Sequence, residues 1–214
     1  MEANKIALKT LAAAIASILL IEALFRLVPA ARSLTPIAAL GFIRCLEAVS
    51  LIAVTLLLEK DPGAIGLAPS SIPAGFKRGL IWSAGFGILV GVVYIILHVA
   101  GVNALHFFGK PPHSSRHQIY IFFLVGGVIG PITEEIFFRG IIYGFFRRWG
   151  IAVAVIASTL IFVFIHPIGA NLPVTQIAGG LLFALAYEKE QSLIVPIILH
   201  CLGNLAIFSL AIFM

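Results

Sequence analysis

Charged residues are scarce in this chain. Asp, Glu, Lys and Arg make up 11% of its 214 residues, whereas hydrophobic residues make up 61%. A soluble domain carries about 25% charged and about 45–50% apolar residues, so this composition excludes an ordinary water-soluble protein. We therefore predict an all-α fold, in which residues 1–214 form a single integral membrane domain. We expect a polytopic transmembrane bundle of six to eight helices with the lipid bilayer around it.

Cysteine and clustered positive charge are also rare. The two cysteines, Cys45 and Cys201, lie in hydrophobic segments, so neither a disulfide framework nor a CxxC metal site is indicated. We expect both to be small, buried apolar residues. The net charge of +5 includes no basic run longer than two residues, which favours contact with anionic lipid head groups over nucleic acid binding. The sequence carries no signal for an oligomeric state.

Seven hydrophobic segments are candidates for membrane helices. They cover residues 6–28, 36–58, 80–99, 118–146, 151–166, 174–187 and 193–213. In the fourth segment Gly126, Gly127, Gly130 and Pro131 predict a kink or a break, because proline removes a helix hydrogen bond. The distribution of Lys and Arg in the loops predicts a cytoplasmic N-terminus and, with seven spans, an outer C-terminus.

The fourth segment contains two adjacent carboxylates and a guanidinium among apolar residues. A charged side chain at membrane depth costs about 2.5–3.5 kcal/mol on insertion scales, so such a group is a candidate functional site. Glu135 and Arg139 have the four-residue spacing of a same-face ion pair, and we assign them to structure. We assign Glu134 to chemistry, because a carboxylate without a cationic partner can take a proton from water.

Two later segments carry polar residues at helical spacing. His166 lies four residues after Phe162, and Asn204 lies four residues after His200. A His/Asn pair on one helix face could donate hydrogen bonds to an oxyanion. At about 1.5 Å per residue, Glu134, His166 and Asn204 lie about 20, 24 and 18 Å from the expected cytoplasmic ends of their segments. This shared depth predicts that the fourth, fifth and last helices surround a polar cavity.

The three motifs together resemble the CAAX prenyl protease and bacteriocin-processing family (CPBP, or Abi) of intramembrane glutamate-type endopeptidases. The family pattern is EExxxR, then FxxxH, then HxxxN or HxxxD, on successive transmembrane helices. All three motifs occur here in that order, as Glu134-Glu135 with Arg139, Phe162 with His166, and His200 with Asn204. The resemblance covers residues 118–214, which we take as a catalytic core similar to that of the family.

The resemblance implies hydrolysis of a peptide bond in a membrane-anchored protein or peptide. CAAX-type processing, maturation of secreted peptides and cleavage of C-terminal sorting tails are all compatible with it. No cofactor is expected, and the short chain is similar to prokaryotic members, which implies the cell (inner) membrane. The implied roles are water activation by Glu134 and His166, oxyanion stabilisation by His200 and Asn204, and structural support by Glu135, Arg139 and Phe162.

Three other functions fit the same residues. A zinc-dependent protease could use Glu134, His166 and His200 as ligands, although no HExxH motif is present. Buried charges could also form an ion pathway in a transporter, or the scaffold could be a non-catalytic immunity protein. The remaining intramembrane charges, Glu22 with Arg26 and Arg44 with Glu47, are expected to be helical ion pairs; substrate positioning is an alternative for Arg44.

Overall fold

The computed structural model describes residues 6–29, 33–102, 116–166 and 173–213. Within these residues the chain forms seven helices and no strand, which confirms the predicted polytopic helical bundle. Two short 3₁₀ turns, Pro62–Ile65 and Pro69–Ser71, connect the second helix to the third. Six of the helices are regular: α1 Leu8–Leu27, α2 Pro36–Leu58, α3 Ile72–Val99, α5 Ile151–Ile165, α6 Val174–Glu190 and α7 Ile194–Phe213.

The fourth helix, α4, is continuous but irregular. It begins as an α-helix at Arg116–Leu124 and ends in the 3₁₀ turn Arg147–Trp149. Between them it passes through a π segment at Val125–Ile129, an α segment at Gly130–Glu135, a second π segment at Ile136–Tyr143 and the α turn Gly144–Phe146. Of the predicted kink or break, the break is therefore absent, because the helix continues through Pro131. A π turn, with its additional residue, accommodates Pro131 without interrupting the helix.

The third helix begins earlier than the sequence predicted. It starts at Ile72 rather than at residue 80, and Pro73 occupies its first turn. Proline is tolerated there because the first N–H groups of a helix have no intrahelical partner. The fifth helix ends one residue earlier than predicted, at Ile165, and this places His166 just beyond the helix.

Five helices of the described chain are long and apolar enough to cross a membrane. They are Leu8–Leu27, Pro36–Leu58, Pro69–Val99, His117–Trp149 and Ile194–Ile212. Helix α5 has 15 residues and α6 has 17, so both are shorter than the others. At about 1.5 Å per residue, α5 spans about 22 Å, which is less than the roughly 30 Å of a bilayer core. The chain is an integral membrane protein in which the helical part of α5 is shorter than the bilayer core is thick.

Helix α4 lies at the centre of the bundle. Its second π segment is almost entirely buried, from Phe138 through Tyr143. Around it α1 packs on α2, α3 on α7, α5 on α6, and α6 on α7. Cys201 is buried as expected, but Cys45 is exposed on α2, so the expectation of burial was wrong for that residue. An apolar thiol needs no protein cover where lipid forms the surroundings.

Helix α3 contacts α7 through two buried glycines near its beginning. A Cβ atom at Gly79 would lie 2.8 Å from Ile198 Cβ, and one at Gly75 would lie 3.0 Å from Ile194 Cβ. Further along α3, a Cβ at Gly87 would meet nothing within 4 Å. Only the first part of α3 therefore depends on glycine for a close approach of two helix backbones.

We predict that Gly79→Ala destabilises the protein whereas Gly87→Ala does not. Overpacking at a close contact costs about 1–3 kcal/mol, while alanine in place of an open helical glycine gains up to about 1 kcal/mol. Thermal unfolding of both purified variants in the same detergent would compare them directly. A Gly79→Ala variant as stable as the Gly87→Ala variant would contradict the α3–α7 contact.

Candidate active site

The two glutamates of α4 follow its first π segment. Because the Gly130 N–H binds the Val125 carbonyl there, the Gly126 carbonyl loses the partner that an α-helix would supply. Pro131, the next residue, has no N–H to replace it. Asn204 Nδ2 on α7 instead donates a 2.9 Å hydrogen bond to the Gly126 carbonyl. The third motif thus satisfies a backbone group that the π turn leaves free.

The Glu134 carboxylate faces both histidines of the predicted site. Its Oε2 lies 3.7 Å from His166 Nε2 and 3.9 Å from His200 Nε2. Both separations exceed the length of a direct hydrogen bond, so a water molecule could contact all three atoms. Helices α4, α5 and α7 therefore bring one residue of each motif together at a single carboxylate.

His166 is held at the end of α5 by its own helix. It has an extended backbone, with φ −78° and ψ 145°, immediately after the last helical residue. Its Nδ1 lies 2.7 Å from the Phe162 carbonyl oxygen. Because a carbonyl oxygen only accepts, Nδ1 carries the hydrogen and the neutral ring keeps its lone pair on Nε2. The nitrogen that faces Glu134 is thus an acceptor in the neutral ring.

Glu135 is fully buried and connects the first motif to the third. Its Oε1 accepts a 2.9 Å hydrogen bond from Arg139 Nη1 and lies 2.7 Å from His200 Nδ1. The side chain of Arg139 is also fully buried. The ion pair expected from the spacing is therefore present, and its carboxylate also orients the His200 ring so that Nε2 faces Glu134.

Helix α6 supplies two residues that the sequence patterns did not reveal. The Gly180 carbonyl accepts a 3.2 Å hydrogen bond from Arg139 Nη2. The Phe183 ring stacks on His200 at 4.6 Å between centroids, and its centroid lies 5.2 Å from Arg139 Cζ. On the other side Phe162 lies 4.7 Å from the same guanidinium carbon, in the range of a cation–π contact. The only signal in the sequence was the three-residue spacing of Gly180 and Phe183, which is common.

A cavity of about 230 Å³ lies beside Glu134 and His166. We expected α4, α5 and the last helix to surround a polar cavity, but the described residues that line this one lie on α1, α2 and α4 and at the end of α5, and none of them is on α7. Helices α1 and α2 contribute Glu22, Arg44 and Glu47 among others. The Thr133 hydroxyl donates a 2.9 Å hydrogen bond to the Arg44 carbonyl and so holds α2 against α4. The first half of the chain therefore contributes charged groups to the site.

The two other intramembrane ion pairs form at their predicted spacing. Arg44 Nη1 lies 2.6 Å from Glu47 Oε2, and Arg26 Nη2 lies 3.7 Å from Glu22 Oε2. Within the described parts of the chain, no three His, Cys, Asp or Glu side chains are grouped so that they could hold a metal ion.

Comparison with known proteins supports a general class for this chain. Residues 116–206 match a protein-family model described as Rce1-like, type II CAAX prenyl endopeptidase. This segment contains all three motifs, so the resemblance to the CAAX prenyl protease family is confirmed. Together with the helical membrane fold, the match supports an intramembrane protease as the general class of this protein.

Two curated relatives are similar over different lengths. A Bacillus subtilis (strain 168) protein, YdiL, provisionally named a membrane peptidase, is 29% identical over 180 residues, covering 78% of this chain and 68% of that protein. The membrane-embedded CAAX protease MroQ of Staphylococcus aureus (strain USA300) is 38% identical over 98 residues, covering 42% of this chain and 38% of that protein. No solved structure gives a significant match.

We predict that the two adjacent glutamates differ in their effect on stability. Glu135→Ala should lower the free energy of unfolding by about 3–5 kcal/mol, because it leaves a buried guanidinium unpaired. Glu134→Ala should have a small effect, since its carboxylate makes no direct hydrogen bond to either histidine. Thermal melting of both variants in detergent gives the comparison, and the reverse order of damage would contradict the assignment.

Proposed function

We propose that this protein is an intramembrane endopeptidase of the glutamate type. The observation that carries the proposal is the placement of Glu134 Oε2 within 4 Å of the Nε2 atoms of both His166 and His200. A carboxylate and an imidazole on either side of one water molecule are the groups that general-base hydrolysis requires.

Water activation depends on Glu134 and His166. Both Glu134 Oε2 and the neutral His166 Nε2 are acceptors, so a water between them donates its two hydrogens and directs a lone pair elsewhere. Glu134 takes a proton as the water oxygen forms a bond to the substrate carbonyl carbon. Breakage of the C–N bond then releases an amine, which receives this proton from Glu134 directly or through His166. The products are a new carboxyl end and a new amino end.

The developing oxyanion would be stabilised by His200 and Asn204. With Nδ1 held by Glu135, a protonated His200 ring offers a second N–H at Nε2, the atom on the Glu134 side. Asn204 donates one of its two amide hydrogens to the Gly126 carbonyl, and we assign the other to the oxyanion. Glu135, Arg139 and Phe162 support the site without contacting the substrate.

The proposed substrate is a membrane-anchored protein or peptide. The family description names CAAX prenyl endopeptidases, and one relative is named a CAAX protease, so CAAX-type processing is the first substrate class to test. Maturation of secreted peptides and cleavage of C-terminal sorting tails also hydrolyse a peptide bond, so they are the other two substrate classes to test. Both relatives are bacterial. We propose the cell (inner) membrane as the location, and we propose a cytoplasmic N-terminus from the distribution of Lys and Arg in the loops.

We predict that Glu134→Gln abolishes hydrolysis while the protein remains folded. Loss of a general base costs about 10²–10⁴ in rate, and the amide keeps the shape of the side chain. The measurement is cleavage of quenched fluorescent peptides, with and without a prenylated cysteine, by purified protein in detergent. Glu190→Gln, a change of the same type at the end of α6, serves as the control.

Two results would contradict this mechanism. Full activity in Glu134→Gln would remove the proposed base, and a trapped acyl-enzyme would replace water attack by covalent catalysis. Activity lost to a chelator and restored by stoichiometric zinc would favour the zinc-dependent alternative.

We also predict that Asn204→Ala reduces turnover by about 10²–10³, the usual loss for one oxyanion donor. The Michaelis constant should change much less than the turnover number, because the contact forms mainly in the transition state. Asn204→Leu keeps the approximate size of the side chain but removes the N–H donors, so it should lose a similar factor. A folded Leu variant with normal turnover would contradict the proposed oxyanion role.

A further inference from the structure

The cavity beside Glu134 contains a cation that the proposed mechanism does not use. Arg44 on α2 lines this cavity, and its carbonyl accepts the hydrogen bond from Thr133, the residue before Glu134. Its side chain is 27% exposed, whereas that of Glu47, its ion-pair partner, is fully buried. The backbone of Arg44 is therefore held beside the residue that precedes the proposed base, and part of its side chain remains accessible.

Glu47 occupies only part of the hydrogen-bonding capacity of Arg44. One bond of 2.6 Å joins Arg44 Nη1 to Glu47 Oε2, and a guanidinium has five N–H donors. Among the described residues, Glu47 Oε1 is buried without a hydrogen-bond partner, so the pair is not a two-bond fork. Donors of Arg44 thus remain for a ligand that enters the cavity.

Among the described residues that line the cavity, Arg44 is the one with a permanent positive charge, so an anion that enters is attracted there. Glu22, Glu47 and Glu134 also line it, and His166 is its other nitrogen base. Glu22 has its own partner in Arg26 at 3.7 Å. A carboxylate that enters would be repelled by these side chains and attracted at the guanidinium, which also matches its planar geometry.

We propose that Arg44 binds a carboxylate of the substrate and thereby positions the scissile peptide bond at Glu134. This inference rests on the proposed function, because the bound molecule is the peptide substrate. The carboxylate comes either from the free C-terminus of the substrate or from an acidic side chain near the cleaved bond. In the first case the protein removes a short C-terminal segment.

Binding to the full-length Glu134→Gln protein in detergent tests the proposal without turnover. The probes are a dodecanoylated tripeptide of apolar residues with a free carboxylate, the same peptide as its C-terminal amide, and an amidated peptide with one aspartate. One of the two acidic probes should bind about tenfold or more tightly than the neutral amide, as expected for a charge-assisted hydrogen bond. The acidic probe that binds identifies the source of the carboxylate.

Variants of the ion pair make the test specific. Glu47→Gln should strengthen the preference for the acidic probe, because a competing carboxylate is removed. Arg44→Gln combined with Glu47→Gln should abolish the preference without leaving a buried charge unpaired. Arg44→Lys should reduce the preference for the acidic probe several-fold, because lysine keeps the positive charge but lacks the planar pair of N–H donors that a carboxylate can accept together. Arg78→Gln, a change of the same type on α3 at a residue that does not line this cavity, should leave the preference unaltered, and melting temperatures show whether each variant is folded.

Equal binding of acidic and neutral probes by the Glu134→Gln protein would overturn the proposal. So would a preference that survives in the folded double variant or is unchanged in Arg44→Lys. Peptide hydrolysis by the wild type is measured separately. Discrimination without hydrolysis would refute the proposed function alone, and hydrolysis without discrimination would refute the role of Arg44 alone.

Discussion

The burial of a charged cluster in a low-dielectric interior is the constraint on which the rest of this structure depends. Glu135 and Arg139 are both fully buried, and His200 is nearly so. Removing such ions from water is costly, and the cost is offset only where each charge has a close partner and further hydrogen bonds. Glu135 therefore contacts two groups, and Arg139 requires the Gly180 carbonyl and aromatic rings as well. These needs hold α4, α6 and α7 in one arrangement.

The same constraint separates two glutamates that are neighbours in the sequence. Successive residues of a helix point about 100° apart, so one side chain can face the core while the next faces a cavity. Glu135 is fully buried against Arg139, whereas the Glu134 side chain is 20% exposed beside His166. The buried carboxylate orients a histidine, and the accessible one is left for chemistry.

The irregular geometry of α4 also shapes the site. The π turn before the glutamates leaves the Gly126 carbonyl without an intrahelical partner, and Asn204 satisfies it. In hydrocarbon an unsatisfied backbone group costs several kcal/mol, so this contact contributes to the association of α4 and α7. Asn204 thus has a structural role as well as a proposed catalytic one, and π segments of this kind often occur at functional sites.

The sequence by itself determined the class of fold, because a chain with so few charged residues is compatible only with surroundings of lipid. It also determined the Glu135–Arg139 pair, since spacing within one helix fixes which side chains meet. The convergence of the three motifs could be anticipated from their shared depth, but not their contacts. Spacing carries no information on which atoms face each other across different helices, so the 3.7 Å and 3.9 Å separations at Glu134 came only from the tertiary structure.

Tertiary structure alone also decided the contributions of residues outside the motifs. Gly180 and Phe183 have no distinctive local pattern, and the spacing of Arg44 and Glu47 predicted an ion pair but not its place beside Glu134. All reach the site because α6 and α2 pack against α4. The helix continues through Pro131 without the break that was one of the two predicted outcomes, for a related reason. A sequence shows that proline lacks an N–H, but whether the helix breaks or inserts a π turn depends on the packing around it, here on the partner that α7 supplies to the freed carbonyl.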